Sequence, residues 1–237
     1  MTYVLNELDQ PVGVTTKSIS ANYPQPKKLE GKYCLIEPIN AERHANDLFN
    51  AYAVDESGRM WTYMTYGPFE KLEIIEHWLE EARMTKDPQF YAIVDKANNK
   101  AMGLCSYMRI KPEQGSIEIG GISFSPFLQR TRVATDAMYI MAKRAFEDLG
   151  FRRYEWKCDS LNEASRKAAQ RFGFEYEGTF KKHMMYHGRN RDTSWYSIID
   201  DDWPSLNLAY ERWLRPENFD KNGHQRKRLS DFINSNK

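Results

Sequence analysis

Two periods of apolar residues alternate along this chain, and together they predict the order of its helices and strands. After Pro68, apolar residues recur at intervals of three and four, which is typical of a helix with one buried face. Elsewhere, short apolar and β-branched runs lie between turn residues, and this pattern favours strands. The predicted strands cover residues 33–36, 90–94, 101–110, 116–124, 154–158, 174–180 and 194–199. The predicted helices cover residues 40–53, 134–149, 162–171 and 206–214, in addition to the one that Pro68 opens.

The order of these elements predicts an α+β fold built on a mixed sheet. Three successive strands joined by short turns, from residue 90 to residue 124, favour an antiparallel meander. A strand that follows a crossover helix usually returns parallel, so the strand at 154–158 makes the sheet mixed. Residues 1–28 are polar and hold three prolines, which indicates an extended arm. The predicted organisation is an N-terminal arm (1–28), a core domain (29–200), and a C-terminal helix with a polar tail (201–237).

The predicted strand at 116–124 changes its parity in the middle. Its four apolar residues switch from odd to even positions and cannot share one face of a regular strand: Ile117, Ile119, Ile122 and Phe124. One extra residue at Gly120-Gly121 would return all four to a common face and leave Glu118 and Ser123 on the other. Such a bulge would splay this strand from its neighbour. The pattern therefore predicts a slot with exposed backbone groups.

A tight basic loop joins this strand to the predicted helix at 134–149. Its sequence is Gln129-Arg130-Thr131-Arg132-Val133-Ala134. The helix is amphipathic and ends at Gly150, so packing should fix the position of its N-terminus. Backbone N–H groups of the first turn and two guanidiniums should then converge on one point, which favours a phosphorylated ligand. The alternative is that Arg130 and Arg132 are solvated charges of an ordinary loop.

Composition limits the classes to which this protein can belong. With 237 residues, 41% of them hydrophobic and 14% aromatic, it can bury a sizeable core without disulfide or metal staples. A formal net charge of +1 gives no global field for nucleic acid or a membrane surface. Cys34, Cys105 and Cys158 lack metal-ligand spacing and are expected to be buried free thiols in a reducing compartment. Because the sequence shows no signal peptide and no apolar run of about 20 residues, a cytoplasmic protein is expected.

The strand, its glycine pair, the basic loop and the helix together resemble the acetyl-CoA motif of the GNAT superfamily of N-acetyltransferases. Residues 29–200 fit that domain in order, and three features resemble its RimJ/RimL-like branch. These are EIG in the strand, ATDA at the helix start, and the pattern formed by Asn162, Ser165, Gly173 and Phe174. The chain departs from the family motif at Arg132, which occupies the first glycine position, while Ala134 satisfies the second small position. The Arg132 side chain would then supply charge in place of close backbone approach.

The resemblance implies a GNAT-like fold and an acetyl-CoA-dependent N-acetyltransferase, in which a primary amine attacks the thioester directly and no metal takes part. This chemistry needs a base for the ammonium and a proton donor for the leaving thiolate. Glu118 matches the family's glutamate and is the candidate base; its alternative role is an ordinary strand glutamate that faces solvent. The residues expected to bind the cofactor are Ile122, Ser123, Phe124, Gln129, Arg130, Thr131, Arg132, Val133, Ala134, Thr135 and Asn162.

Two residues are candidates for protonating the thiolate. Ser165 matches the serine that the RimL-like branch places near the thioester sulfur, and Asn162 would bond the pantetheine arm. Both residues also suit the first turn of a helix, with Asn162 as its N-cap. Tyr186 is the second candidate acid, and the sequence does not choose between it and Ser165.

The sequence gives less information about the acceptor than about the cofactor. Residues 60–66 lie between the first two predicted helices, the region that borders the acceptor in this family, and Trp61 and Tyr66 are candidates for binding it. Core packing is an equal alternative for these two aromatic residues. His183 and His187 are expected at the surface, with contact to the substrate as the alternative. Metal binding is not expected of them, because a third ligand is missing. Whether the acceptor is a small molecule or a protein N-terminus stays open, as does a homodimer through the C-terminal hairpin and added helix.

Two other functions compete with acetyl transfer. Arg132 in place of glycine motivates a non-catalytic sensor or scaffold that binds acyl-CoA on the same fold, although Glu118 and Ser165 argue against it. The basic loop and the basic tail at 224–228 motivate a nucleic-acid-binding module, which the net charge near zero disfavours. Acetyl transfer therefore leads, with acetyl-CoA and an amine as the partners and neither nucleic acid nor membrane.

Overall fold

The computed structural model describes residues 3–16 and 21–235. In chain order the strands are β1 (Tyr3–Leu5), β2 (Pro11–Gly13), β3 (Leu29–Glu30), β4 (Cys34–Pro38), β5 (Gln89–Asp95), β6 (Lys100–Lys111), β7 (Ser116–Phe124), β8 (Arg153–Asp159), β9 (Glu175–Tyr186) and β10 (Arg189–Ile199). The helices are α1 (Ala41–Ala53), α2 (Leu72–Arg83), α3 (Arg132–Lys143), α4 (Glu163–Arg171), α5 (Trp203–Trp213) and α6 (Leu229–Asn234). A π-helical turn, Arg144–Asp148, continues α3.

Strands β3 to β10 form one eight-stranded sheet in the order β3-β4-β5-β6-β7-β8-β10-β9. Neighbouring strands are antiparallel except β7 and β8, which run parallel because α3 crosses over between them. The α+β fold with a mixed sheet is therefore confirmed, and so is the antiparallel meander of β5, β6 and β7.

Side chains of the sheet alternate between two apolar cores on its opposite faces. On β5, Tyr91 and Ile93 belong to the core beneath α3, whereas Phe90 and Ala92 belong to the core beneath α1 and α2. Each large apolar side chain buried in these cores contributes roughly 1.5–3 kcal/mol. The predicted apolar stripe of the third helix lies entirely in the first core: Ala134, Ala137, Met138, Met141, Ala145 and Leu149.

The N-terminal arm has more structure than an extended segment. β1 and β2 pair as an antiparallel hairpin, with Tyr3 opposite Gly13. Each strand has three residues, too few for alternation to show in the sequence. The side chains of Tyr3 and Leu5 are exposed, so the hairpin packs little against the core. Further along the arm, the Gln25 carbonyl accepts a hydrogen bond from the guanidinium of buried Arg144, which holds this part of the arm against the turn after α3.

The predicted start of the second helix is wrong. α2 begins at Leu72 instead of Pro68, and Lys71 is its N-cap residue. The intervening segment packs its aromatic rings against α2: the Tyr66 and Trp78 rings stack at 4.6 Å, and the Phe69 and Trp78 rings meet at 5.6 Å. These contacts hold the segment in irregular structure that periodicity along the chain does not reveal.

The C-terminal tail is more ordered than its polar composition predicts. α5 begins at Trp203, three residues before the predicted helix, and α6 lies within the segment predicted to be a polar tail. Phe219 and Leu229 are buried in the core beneath α3, and the Phe219 ring meets the Trp213 ring edge-on at 5.0 Å. A few buried apolar residues therefore dock a mostly polar segment, which average composition conceals.

Candidate active site

The predicted bulge in β7 is present. Gly121 and Ile122 of β7 together lie opposite one residue of β6, Cys105, and Gly121 has a φ of +54° that favours glycine. On one face of the strand, the Ser123 hydroxyl lies 2.7 Å from the Tyr52 hydroxyl. The opposite face carries the four apolar residues of the strand, which all belong to or pack against the core beneath α3: Ile117, Ile119, Ile122 and Phe124.

β7 and β8 diverge beyond a short parallel ladder. The ladder pairs residues 116–118 with residues 153–155 and goes no further. From there β7 continues beside β6 and β8 continues beside β10, so a gap opens between them. Residues 122–124 lie on the open edge of β7, where an extended ligand that carries amides can add as an extra strand. We refer to this opening as the β7–β8 gap.

The loop after β7 ends at a capped helix. Thr131 is the N-cap residue of α3, and its Oγ1 accepts a hydrogen bond from the Ala134 backbone N–H at 3.1 Å. As the first helical residues, Arg132 and Val133 present backbone N–H groups that have no intrahelical acceptor. The side chains of Val133 and Ala134 are buried, so their backbone is the part that can meet a ligand. This helix end carries the positive end of the helix dipole.

Hydrogen bonds hold the same loop in place on both sides of the exposed Arg130. Gln129 Nε2 donates to the Phe124 carbonyl at 2.9 Å, which holds the loop against the end of β7. On the helix side, Arg171 Nη2 donates to the buried Thr135 Oγ1 at 3.0 Å. Arg130 lies between these ties with a φ of +61°, and its side chain is exposed. Arg171, at the end of α4, was missed by the sequence reasoning because its partner in α3 is remote in sequence.

Arg132 is held by aromatic rings instead of being freely solvated. Its guanidinium carbon lies 4.4 Å from the centroid of the Tyr33 ring and 5.6 Å from that of Phe219. Tyr33 precedes β4 and Phe219 belongs to the C-terminal segment, so two distant parts of the chain fix this side chain. The residue at the family's glycine position thus keeps a positive charge at the N-terminus of α3 in a defined place.

Glu118 is buried at the point where β7 and β8 part. Its side chain is 2% exposed, which contradicts the alternative of a strand glutamate facing solvent. One carboxylate oxygen lies 2.7 Å from Arg109 Nη1, and the other lies 2.8 Å from Lys157 Nζ. Burial raises the pKa of Glu118, and the charges of Lys157 and Arg109 oppose that rise. Neither cation was foreseen, because their contact depends on the registers of β6 and β8 against β7.

Asn162 and Ser165 form the N-terminus of α4, at the end of β8. Asn162 Oδ1 accepts a hydrogen bond from the Ser165 backbone N–H at 3.0 Å, so Asn162 caps the helix. Ser165 Oγ accepts a hydrogen bond from Trp156 Nε1 at 3.0 Å. Burial raises the pKa of the Cys158 thiol, and a hydrogen bond with Ser165 opposes that rise. The capping role is thus present, and the Ser165 hydroxyl proton is directed to the Cys158 sulfur, which is a weak acceptor.

Tyr186 lies at the end of β9 and is bound to the end of β8. Its hydroxyl donates to Asp159 Oδ2 at 2.9 Å. Burial, together with this hydrogen bond, raises the pKa of Tyr186 to about 12. Because its proton is engaged by a carboxylate, Tyr186 is a weaker donor to a leaving thiolate than an unengaged hydroxyl.

The segment between α1 and α2 contributes one residue to the core and one to the bulge. Trp61 is 7% exposed and lies in the core beneath α1 and α2, where it meets Tyr52 edge-on at 5.0 Å. The Tyr66 hydroxyl donates to the Gly121 carbonyl at 2.8 Å, so Tyr66 borders the β7–β8 gap. Their predicted contacts with an acceptor stay predictions.

The segment between α1 and α2 also contacts the far side of the β7–β8 gap. The Tyr63 hydroxyl donates to the Leu161 carbonyl, beyond the end of β8, at 3.2 Å. His187, in the turn between β9 and β10, lies with its Nε2 3.0 Å from the Met64 carbonyl oxygen. Residues 63–66 therefore contact both sides of the gap.

Within the described ranges 3–16 and 21–235, no group of three or more His, Cys, Asp or Glu side chains is arranged to hold a metal ion. The three cysteines are free and buried, as expected from the sequence. Of the helices in this part of the chain, none has the length and apolarity needed to cross a membrane.

Comparison with protein families and solved structures gives consistent matches. The model of the acetyltransferase (GNAT) domain matches residues 34–175. A GCN5-related N-acetyltransferase from Brucella melitensis is 43% identical in sequence, with a TM-score of 0.88 over 91% of this chain and 98% of that chain. A search of curated proteins found no match.

Two more remote structures share the fold. RimL, the ribosomal L7/L12 alpha-N-protein acetyltransferase, is 17% identical, with a TM-score of 0.62 over 73% of this chain and 94% of that chain. The microcin C7 self-immunity acetyltransferase MccE, in complex with acetyl-CoA and AMP, is 20% identical, with a TM-score of 0.61 over 71% of this chain and 93% of that chain. The family match covers the whole strand-loop-helix segment around the β7–β8 gap. The chain belongs to the GNAT acetyltransferase family.

Proposed function

We propose that this protein transfers the acetyl group of acetyl-CoA to a primary amine that attacks the thioester directly. Membership of the family supports acetyl transfer to an amine in general. The observation that carries the finer proposal is the β7–β8 gap. It has a buried carboxylate, Glu118, at its closed end, and the strand along its edge leads to a helix N-terminus with two arginines.

The chain offers matching groups for each part of an acyl-CoA molecule. The backbone of residues 122–124 would pair with the amides of the pantetheine arm, in the manner of an added strand. The first N–H groups of α3, together with Arg130 and Arg132, would bind the pyrophosphate. The Tyr33 ring beneath Arg132 supports this role, because it orients the guanidinium without neutralising its charge.

In the proposed reaction, the new C–N bond forms as the amine nitrogen attacks the thioester carbon, and the C–S bond then breaks. Glu118 accepts the proton that the ammonium loses, directly or through one water molecule. Ser165 donates a proton to the leaving thiolate, since its hydroxyl is not engaged by a carboxylate as that of Tyr186 is. No covalent bond to the protein forms at any step.

The residues around the β7–β8 gap indicate which kind of acceptor could reach it. Residues 63–66 bridge the two sides of the gap, and this favours an acceptor that presents its amine end-on, past Tyr66. RimL is by name an alpha-N-protein acetyltransferase, so a protein N-terminus is one acceptor class to test, beside small primary amines. A cytoplasmic location and a homodimer through the C-terminal hairpin stay predictions from the sequence.

The test of this function is release of free CoA thiol from acetyl-CoA in the presence of a panel of acceptors. The panel contains peptides with free N-termini, polyamines, amino-acid derivatives and aminoglycosides, each paired with its N-acetylated form as a control. We expect thiol release with at least one free amine and none with its blocked form. Tight binding of acetyl-CoA without thiol release for any amine would instead identify a non-catalytic sensor.

The double substitution Arg130→Ala/Arg132→Ala is expected to weaken acetyl-CoA binding by about 100-fold or more, because each charged hydrogen bond to phosphate contributes ~1.5–3 kcal/mol and two are lost. The measurement is the acetyl-CoA dissociation constant from calorimetry. Lys181→Ala/Lys182→Ala removes two positive charges from exposed positions on β9 and is the matched control. Equal dissociation constants for the two double variants would refute the phosphate-binding role of the arginines.

Ser165→Ala is expected to lower kcat more than Tyr186→Phe does. The Ser165 hydroxyl faces the Cys158 thiol, which is a weak acceptor, whereas the proton of Tyr186 is engaged by the carboxylate of Asp159. Steady-state thiol release with a saturating acceptor measures the difference, and acetyl-CoA affinity is determined for both variants to exclude a binding effect. The reverse order of the two kcat values would assign the acid to Tyr186.

A further inference from the structure

The proposed base belongs to a row of alternating charges whose members come from four strands, β6, β7, β8 and β9. The row runs along the face of the sheet that also carries Ser123, and the closest approaches between successive groups are 2.5–2.8 Å. Its members are, in order, Arg109, Glu118, Lys157, Glu155, Arg153 and Glu177.

Lys157 is the most confined cation of this row. Its side chain is 6% exposed, and its ammonium lies 2.8 Å from a Glu118 oxygen and 2.6 Å from a Glu155 oxygen. The centroid of the Trp195 ring lies 3.9 Å from the same nitrogen. A buried ammonium is tolerated only where such partners replace its water. Lys157 therefore has one defined position, directly beside the carboxylate at the closed end of the β7–β8 gap.

Charged groups reach Glu118 from two neighbouring strands. From β6 comes Arg109, whose side chain is 43% exposed, so that solvent screens its charge. From β8 come Lys157, which solvent hardly reaches, and Glu155, which faces Lys157 from the other side. An unscreened charge in contact acts more strongly than a screened one at the same distance. Lys157 is thus the group best placed to govern the state of Glu118.

We propose that Lys157 is a positioning residue for Glu118, which fixes its carboxylate at the closed end of the gap and sets the pH below which it stops accepting protons. Glu155 moderates this action, because it shares the same ammonium. This inference rests on the proposed function of Glu118 as the base. It adds that a lysine outside the cofactor motif tunes this base.

Two substitutions should move the pH dependence of kcat/KM in opposite directions. Lys157→Met removes the charge and keeps a chain over Trp195, so the pKa of Glu118 should rise and activity should be lost at a pH higher by at least about one unit. Glu155→Gln removes the second carboxylate that shares the Lys157 ammonium, so the pKa of Glu118 should fall. The loss of activity at acidic pH should then occur at a lower pH. Lys157→Arg should restore the wild-type limb, because it returns the charge. Lys96→Met, which breaks the 2.6 Å ion pair with Glu30 away from the gap, should leave the profile unchanged.

A direct titration separates failure of this inference from failure of the proposed function. Carbon-13 NMR of glutamate-labelled full-length protein follows the Glu118 carboxyl, which is assigned by its absence in Glu118→Gln. A higher titration midpoint in folded Lys157→Met and a lower one in Glu155→Gln are the expected results. Unmoved midpoints in both variants would overturn the role of Lys157, even if Glu118→Gln were inactive. Moved midpoints with a fully active Glu118→Gln would leave Lys157 in control of Glu118 but remove Glu118 as the base.

Discussion

Glu118→Gln is expected to lower turnover at neutral pH by about 10²–10⁴-fold, the usual contribution of a positioned general base. Glutamine keeps the size of the side chain and cannot accept the proton of an ammonium. The fold should survive, because Lys157 keeps its 2.6 Å contact with Glu155 and the Arg109 side chain can turn to solvent. Acetyl-CoA should bind with an unchanged dissociation constant, since the proposed contacts of the cofactor lie at residues 122–124 and at α3.

The measurement combines steady-state thiol release at pH 7 with calorimetric titration of acetyl-CoA. Glu177→Gln is the matched control, since Glu177 is also ion-paired, at 2.5 Å from Arg153, but lies at the far end of the charge row. Turnover by Glu118→Gln equal to that of the control would reject the base. A parallel loss of acetyl-CoA affinity would show that the substitution had disturbed the gap as well as the chemistry.

Gly121→Ala is expected to destabilise the protein by about 2–4 kcal/mol, from a left-handed backbone and an overpacked site together. The φ of Gly121 is +54°, and an added Cβ would lie 2.7 Å from a Phe90 ring atom and 3.0 Å from Ser106 Oγ. The Phe90 ring is held by Trp78 and Tyr66, with ring centroids 5.1 and 5.8 Å away, so it cannot easily give way. Acetyl-CoA affinity should fall too, because the bulge sets the direction of residues 122–124.

Urea unfolding measures the loss of stability, and calorimetry measures the loss of affinity. Gly13→Ala, in the exposed N-terminal hairpin, is the matched control, because its added Cβ would meet no atom within 4 Å. Equal free energies of unfolding for the two variants would contradict the structural role assigned to the bulge.

The local pattern of apolar and polar residues predicted those parts of the fold that depend on residues near each other in sequence. The parity switch in β7 indicated the bulge, and the stripe in the following helix indicated which face is buried, because both follow from backbone geometry. The antiparallel meander and the parallel return of the strand after the crossover helix also followed, since connection rules restrict the topology. Each of these features depends on residues within a single helix or strand, or on the element next to it in sequence.

The parts of the candidate site that escaped prediction depend on long-range contacts. Arg132 finds Tyr33 and Phe219 only once the C-terminal segment docks on the core. Glu118 meets Lys157 only because β8 returns beside β7 in one register, and a shift by one residue would separate them. By residue type alone, Trp61 could either bind the acceptor or pack in the core. Its burial in the structure depends on the residues packed around it, which are not apparent from the sequence.

The short ladder between β7 and β8 determines how the eight-stranded sheet is divided. Among the described residues, it is the one strand pairing that connects the group β3, β4, β5, β6 and β7 to the group β8, β9 and β10. It lies at one end of β7 and β8. The sheet is thus divided at this ladder into two parts, with the proposed base on one part and the Ser165 hydroxyl beside the other. A cofactor arm laid into the gap would contact both parts. Substrate binding would then also set the distance between the groups that exchange protons.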